Sequence, residues 1–229
     1  MIDLELHGPV TEAQRTALER IRRNQQHLLH LINDVLHFAR LDAGRLELDV
    51  RPFAVAGVLE TIDAIIAPQA AARQLAYTFD VADDLWAVGD PERVEQVLVN
   101  LVANAVKYTP AGGRIVLRAS SAADRICISV EDTGCGIPAE SLGAIFDPFV
   151  QVQRTRYAAP QEQGVGLGLA ISRELTAAMD GELAVQSTPG VGSTFTLRLP
   201  RCDRRDAASD AASRDAASRD AASRDAADT

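Results

Sequence analysis

The stretch of sequence that decides the fold is Asp90-Pro-Glu-Arg-Val-Glu-Gln-Val-Leu-Val-Asn100-Leu-Val-Ala-Asn104-Ala-Val-Lys107-Tyr108-Thr109. Asp90 suits an N-cap and the proline after it suits the first helical turn, so the stretch predicts a helix over residues 91–108. Asn100 and Asn104 are four residues apart and project from one side of this helix, with Lys107 one turn further on. Two carboxamides and an ammonium group in this pattern could coordinate a hydrated Mg²⁺ and phosphate oxygens. Taken alone, the pattern also fits the polar face of an ordinary amphipathic helix.

Segments that alternate apolar with polar residues follow this helix, and they predict a sheet with one buried face. These segments are Arg114–Arg118, Arg125–Val130, Glu182–Gln186 and Thr194–Leu199. Further helices are predicted at about 54–73 and 168–179, where they could cover the buried face. We therefore predict an α/β fold, a two-layer sandwich, over residues 45–200.

A first glycine-rich motif, Asp132-Thr-Gly134-Cys-Gly136-Ile137-Pro, comes directly after a predicted strand. Glycines let the backbone approach a flat ligand closely. A carboxylate at a strand end can accept a hydrogen bond from an exocyclic amine such as that of adenine. A plain turn between a strand and a helix explains the motif about as well.

A second glycine-rich motif, Gly164-Val165-Gly166-Leu167-Gly168-Leu169, opens the predicted helix at 168–179. Backbone N–H groups at a glycine-rich helix start form an anion site suited to phosphates. The motif follows a loop with GxGxG spacing, which differs from a Rossmann fingerprint. No Gly-Lys-Ser/Thr follows it, as a Walker loop would require.

The polar segment between these motifs runs from Phe146 to Gln163 and includes Arg154 and Arg156. A long polar loop that leads into a phosphate-binding turn is a natural lid, and a guanidinium in it can make charge-assisted contacts to phosphate. An ordinary mobile loop is the alternative.

Both ends of the chain differ from this central region. Residues 11–42 contain neither Gly nor Pro and carry an apolar stripe at helical spacing, which predicts one long helix that starts with a capping box of Thr11 and Gln14. The stripe is too broad for an isolated helix and predicts homodimerisation, or pairing with a missing helix. Residues 201–229 are a near-repeat of Arg-Asp-Ala-Ala-Ser, whose period matches neither helix nor strand, so we expect a disordered tail.

The composition excludes several classes of protein. The formal net charge of −9, from 23 Lys and Arg against 32 Asp and Glu, argues against nucleic-acid or anionic-membrane binding. The three cysteines include no CxxC pair, so neither a disulfide framework nor a cysteine zinc site is expected. No stretch approaches the roughly 20 apolar residues of a membrane span, and we expect a cytoplasmic chain.

Five motifs, in order and spacing, resemble the catalytic and ATP-binding domain of bacterial sensor histidine kinases. They are the asparagine helix, the Asp132 turn, Phe146-Asp-Pro-Phe149, the Gly164–Leu169 turn and the closing Gly192-Ser-Thr194-Phe. The wider group includes gyrase, heat-shock and mismatch-repair ATPases, and the resemblance implies their Bergerat-type fold, a mixed sheet with covering helices. Residues 1–44 resemble the second helix of the family's dimerisation hairpin, with the first helix missing.

The resemblance implies roles for individual residues, with ATP and Mg²⁺ as cofactors. Asn104 looks like the magnesium ligand with Asn100 beside it, and together with Lys107, a phosphate contact, they form the catalytic group. The adenine side comprises Tyr108, Asp132, Gly134, Gly136 and Ile137, with Thr194 supporting Asp132 through a water. The phosphate side comprises Gly164, Val165, Gly166, Leu167, Gly168 and Leu169, with Arg154 or Arg156 closing on the γ-phosphate. Hydrolysing relatives carry a glutamate where this chain has Asn100, and a neutral imidazole needs no such base, so transfer is favoured over hydrolysis.

One departure concerns the phosphoacceptor, which in the family is a His followed by Glu or Asp. None of the four histidines, His7, His27, His30 and His37, has an acidic residue next to it. The resemblance therefore predicts a kinase whose acceptor helix is not evident in this chain and whose further partner is a response regulator. The alternatives are a nucleotide-binding dimerising module without transfer activity, and an ATPase or anti-sigma serine kinase of the same superfamily.

Overall fold

The computed structural model describes residues 11–18, 20–22, 25, 47–152 and 166–204. The chain divides into two compact units, Met1–Arg45 and Leu46–Thr229. In the first unit residues 12–18 are helical. Thr11 and Gln14 form both hydrogen bonds of the predicted capping box: the Gln14 N–H donates to Thr11 Oγ1 at 3.3 Å, and the Thr11 N–H donates to Gln14 Oε1 at 2.9 Å. Most of the predicted helix to Asp42 lies outside the described residues.

The second unit contains seven described strands and three described α-helices. In chain order they are β1 (Arg51–Ala54), α1 (Val55–Ala72), β2 (Ala76–Val81), β3 (Trp86–Gly89), α2 (Pro91–Tyr108), β4 (Arg114–Ala122), β5 (Arg125–Asp132), α3 (Gly168–Ala178), β6 (Glu182–Thr188) and β7 (Gly192–Pro200), with a short 3₁₀ helix at Ala139–Ser141. The main sheet has the order β2-β4-β5-β7-β6. Its β2–β4 pair is parallel and its other pairs are antiparallel, so the sheet is mixed.

The two faces of the main sheet differ in the way that the sequence alternation predicts. Every second residue of β5 is buried, and Ile126, Ile128 and Val130 lie on this inner face, which the helices cover. On the outer face Glu131 forms ion pairs with Arg114 and Arg118 at 3.4 and 2.9 Å. These observations confirm the two-layer α/β sandwich with a mixed sheet.

Helix α1 is the most apolar of the described helices. It is the one candidate membrane span among the described residues, with a mean hydropathy of 1.3. Leu59, Ile62 and Ile66 on this helix are fully buried, and its contacts are with α2 and β2. A buried face of this kind explains the hydropathy of α1 through packing in the protein core.

Candidate functional site

Helix α2 begins at a fixed point because Asp90 caps it. The Asp90 carboxylate accepts the N–H groups of Glu92 and Arg93 at 3.0 and 3.3 Å, and its other oxygen accepts the N–H of Asp49 at 3.1 Å. Three N–H groups from two parts of the chain thus converge on one buried carboxylate. This capping fixes the start of α2 and therefore the positions of Asn100 and Asn104 along the helix.

The predicted polar stripe of α2 is half-buried. Asn100, Asn104, Lys107 and Tyr108 are all partly accessible. The Asn100 side chain donates from Nδ2 to Ser172 Oγ on α3 at 3.0 Å. Lys107 Nζ lies 4.9 Å from the centroid of the Tyr108 ring, within the range of a cation–π contact. The stripe therefore faces a partly open region and is held on one side by α3.

Asp132 is the last residue of β5, and its side chain lies on the inner face of the sheet with 8% of its surface exposed. Its Oδ1 accepts the N–H of Gly134 at 2.7 Å. Burial raises the pKa of Asp132 above its ordinary value, the N–H groups of Gly134 and Ser193 lower the pKa, and the nearby Glu131 charge raises it. The pKa of Asp132 is raised overall, which means that its buried position disfavours the charged form of the carboxyl group.

The Asp132 turn lies directly against the end of α2. The Cys135 N–H donates to the Tyr108 carbonyl at 3.3 Å, and a Cβ added to Gly134 would lie 2.6 Å from that carbonyl oxygen. Only glycine permits this approach at position 134. The turn and the polar stripe, which are more than twenty residues apart in sequence, are therefore neighbours.

The same turn is held on its other side by the β6–β7 hairpin. Gly136 has a positive φ of +68°, and a Cβ added to it would overlap the Thr188 carbonyl oxygen. The Ile137 N–H donates to Ser187 Oγ at 2.8 Å. The loop between β5 and the 3₁₀ helix is thus fitted between α2 and the hairpin.

The described part of the second glycine motif reaches the stripe at Asn100. Gly166 has a φ of +80°, and its carbonyl accepts the Phe149 N–H at 3.0 Å. Leu167 is buried, and α3 starts at Gly168, where an added Cβ would overlap the Asn100 carboxamide. Leu169, the next residue of α3, is half-buried. The structure thus brings the three motifs together along α2.

Four predicted site residues, Arg154, Arg156, Gly164 and Val165, lie outside the described residues. The sequence predictions for them, including the lid, stay predictions.

The resemblance implies that Thr194 supports Asp132, but Thr194 lies on the opposite face of the sheet from the Asp132 side chain. In the β5–β7 register Thr194 is opposite Glu131, on the outer face, whereas Ser193 is opposite Asp132 and is buried. Ser193 Oγ also lies 3.0 Å from Ser187 Oγ. Side chains alternate between the faces of a strand, so Ser193 and not Thr194 is on the Asp132 side. Counting back by two from the buried Phe195 identifies Ser193 from sequence.

The donor atoms available for a metal are mainly amide oxygens. Within residues 47–152 and 166–204, no group of three His, Cys, Asp or Glu side chains could hold an ion. Mg²⁺ usually keeps several waters and is bound through one or two protein oxygens together with substrate phosphates. The half-buried carboxamide of Asn104 fits that kind of binding. It does not fit a site in which protein ligands alone hold the metal.

The raised pKa of Asp132 gives a prediction about stability. In the unfolded chain this carboxyl titrates near its ordinary pKa of about 3.9, whereas the folded chain releases the proton at higher pH. Stability contributed by the neutral form is therefore lost as pH rises through the folded pKa. We therefore compare the melting temperatures of Asp132→Asn and the wild type. The difference, variant minus wild type, should increase as the pH rises from the unfolded pKa to the folded pKa of Asp132, and should then stay constant. A difference that is independent of pH between 3 and 8 would contradict this prediction.

Two family models match the chain. "Histidine kinase-, DNA gyrase B-, and HSP90-like ATPase" matches residues 89–203, and "His Kinase A (phospho-acceptor) domain" matches residues 2–44. The first covers half of the chain and contains every described residue of the candidate site.

Curated relatives are sensor kinases. Sensor protein TorS of Escherichia coli strain K12 is 39% identical over 197 residues, which are 84% of this chain and 21% of TorS. Sensor histidine kinase GacS of Pseudomonas protegens is 39% identical over 208 residues, 88% of this chain and 22% of GacS. The chain spans about a fifth of the length of these relatives.

Solved structures share the fold. A crystal structure of full-length ShkA in complex with AMPPNP superimposes with a TM-score of 0.73 at 35% identity and covers 86% of this chain and 41% of that one. Histidine kinase ThkA in complex with response regulator protein TrrA gives a TM-score of 0.66 at 21% identity over 88% of this chain and 55% of that one, which shows the fold alone. The family models and the sensor-kinase relatives show that the chain belongs to the histidine kinase-, DNA gyrase B- and HSP90-like ATPase family.

Proposed function

We propose that this chain is the ATP-binding catalytic region of a two-component sensor histidine kinase, which transfers the γ-phosphate of ATP to a histidine. The observation that carries the proposal is the contact of both glycine motifs with α2. The Asp132 turn meets the Tyr108 carbonyl at the end of this helix, and the start of α3 meets Asn100 two turns earlier. This spacing supports two sites two turns apart: a base site, for the adenine base, at the Asp132 turn, and a phosphate site at the start of α3.

The base site is formed by the Asp132 turn. Asp132 Oδ1 is engaged by the Gly134 N–H, so Oδ2 would accept the hydrogen bond from the adenine amine. Gly134 and Gly136 let the backbone lie close to a flat ring, and the ring of Tyr108 would border it. Ile137 would add an apolar contact at the far end of the turn.

The phosphate site is formed by α2 and the start of α3. Lys107 would contact a phosphate oxygen, and Asn104, with Asn100 beside it, would hold Mg²⁺, which neutralises phosphate charge when bound. The backbone from Gly164 to Leu169 would bind the phosphates, and Arg154 or Arg156 would close on the γ-phosphate.

Transfer to histidine suits this site better than hydrolysis. A neutral imidazole nitrogen attacks the γ-phosphorus with its own lone pair, the bond to the β–γ bridging oxygen breaks, and ADP leaves. An attacking water would need a base to take its proton. At the position where the resemblance places a glutamate in hydrolysing relatives, this chain has Asn100, whose carboxamide donates to Ser172 and cannot act as a base.

The remaining partners follow from the match of residues 2–44 to a phospho-acceptor domain model. We propose a homodimer through residues 11–42, an acceptor histidine on a dimerisation helix not evident in this chain, and a response regulator that receives the phosphoryl group. His7, His27, His30 and His37 lie outside the described residues. Because ATP is the donor, we place the reaction on the cytoplasmic side.

Labelling with γ-³²P-ATP tests the proposal. The full chain should bind ATP with Mg²⁺ in a calorimeter, label itself little, and label a separately supplied dimerisation hairpin whose histidine precedes an acidic residue. The label should be acid-labile and alkali-stable, and Asn104→Ala should abolish it. Binding without any transfer to the hairpin would favour a nucleotide-binding module. Strong self-labelling lost on mutating His27, His30 or His37 would place the acceptor in this chain.

A further inference from the structure

Ser172 connects the two helices of the phosphate site. It lies on the second turn of α3 with 2% of its surface exposed. Its Oγ accepts a hydrogen bond from Asn100 Nδ2 at 3.0 Å. A buried hydroxyl on one helix therefore contacts the predicted catalytic stripe of another.

The Asn100 carboxamide is held on a second side by Gly168. Gly168 is four residues before Ser172 and so lies on the same face of α3. An added Cβ at Gly168 would overlap Asn100 Oδ1. The carboxamide thus lies along α3, with its nitrogen at Ser172 and its oxygen at the first residue of the helix.

The two ends of a carboxamide differ chemically, since the oxygen accepts hydrogen bonds or binds a cation and the nitrogen only donates. Because Ser172 engages Nδ2, the oxygen is the end directed at the start of α3. A reversed carboxamide would point a donor at that place and would present its oxygen to Ser172, whose hydroxyl would then have to donate instead of accept.

We propose that Ser172 is a positioning residue of the nucleotide site, which fixes the Asn100 carboxamide with its oxygen toward the phosphate and Mg²⁺ end. The inference rests on the proposed function, because it is ATP that gives this end its ligand. Ser172 itself would touch neither nucleotide nor metal. Its loss should therefore affect binding only where phosphate and Mg²⁺ are involved.

Ser172→Ala in the full chain tests this, with Thr176→Val as the matched control. Thr176 is one turn further along α3, is fully buried, and donates its hydroxyl at 2.7 Å to the backbone carbonyl of Ser172, whereas the Ser172 hydroxyl bonds to the Asn100 carboxamide. Loss of one hydrogen bond should weaken the binding of ATP with Mg²⁺ by roughly 2- to 13-fold in Ser172→Ala. Adenosine affinity should stay within twofold, and Thr176→Val should bind both ligands as the wild type does.

A double-mutant cycle shows whether Ser172 acts through Asn100. In an Asn100→Ala background, Ser172→Ala should weaken ATP binding no further, whereas independent effects would add. Full additivity, or an equal loss of adenosine affinity, would overturn the inference and leave the proposed function intact. Wild-type protein that fails to bind ATP with Mg²⁺ would overturn both.

Discussion

Asp132→Asn should lose about 10- to 150-fold in ATP affinity while the folded chain stays at least as stable as the wild type at neutral pH. An asparagine has the same shape and would turn its Oδ1 to the Gly134 N–H that Asp132 Oδ1 accepts at 2.7 Å. Its NH₂ group would then face the adenine amine, so that two donors meet. The lost hydrogen bond to a charged acceptor is worth about 1.5–3 kcal/mol. Calorimetric titration with ATP and Mg²⁺ measures the loss.

The stability half of this prediction has a separate cause. Burial raises the pKa of Asp132, so removing its charge relieves a cost in the protein without bound nucleotide. Glu131→Gln is a matched control, because it makes the same change of charge one residue away, on the outer face beside Arg118. We expect that variant to bind ATP within twofold of the wild type. Wild-type affinity in Asp132→Asn would remove Asp132 from the base site.

Gly136→Ala should destabilise the chain by about 2–5 kcal/mol. The residue has a φ of +68°, which costs an alanine about 1–2 kcal/mol. The new Cβ would also overlap the Thr188 carbonyl oxygen, a backbone atom held in β6, and overpacking of this kind adds about 1–3 kcal/mol. Chemical denaturation measures the loss, and ATP affinity should fall with it because the turn carries Gly134.

Gly190→Ala is the control for this variant. Gly190 has a similar φ of +76°, but an added Cβ there meets nothing within 4 Å. Its N–H donates to the Cys135 carbonyl at 2.8 Å, so it lies beside the same turn. In both variants an alanine must adopt a positive φ, but only in Gly136→Ala does the new Cβ overlap the Thr188 carbonyl oxygen. Equal losses in the two variants would show that the close approach to Thr188 is not what requires glycine at position 136.

The regular core of this fold could be predicted from sequence because its patterns are strong. The prediction of helix 91–108 matches α2 (Pro91–Tyr108), where Asp90 and Pro91 mark the start. The four predicted strands all occur, each two to four residues longer than predicted because hydrogen-bonded pairing with the neighbouring strand continues beyond the alternating apolar segment. An alternation of apolar and polar residues indicates which residues are buried, and the buried residues form the core.

The elements that sequence did not predict have weak patterns. Strand β2 (Ala76–Val81) lies at an edge of the sheet and is largely exposed, so it shows no alternation. Strands β1 and β3 are four residues long and contain Pro52 and Gly89, residues that usually interrupt strands.

The site shows the same division between local and distant information. Sequence spacing places Asn100 and Asn104 on one side of α2, because that is a property of a single helix. It could not identify Ser172, since the contact to Asn100 joins residues 72 positions apart and depends on how α2 and α3 pack. The error at Thr194 is one of register, because a motif match gives residues in order but does not give the face on which each one lies.

The hydrogen bond from the Phe149 N–H to the Gly166 carbonyl, 3.0 Å long, joins the two ends of the segment between them. The chain therefore leaves the described fold after Phe149 and returns to it at Gly166 at adjacent points. Doubling the length of a flexible loop costs only about 0.6 kcal/mol in closure entropy. Because the two points are adjacent, an insertion between them need not move the sheet or the helices.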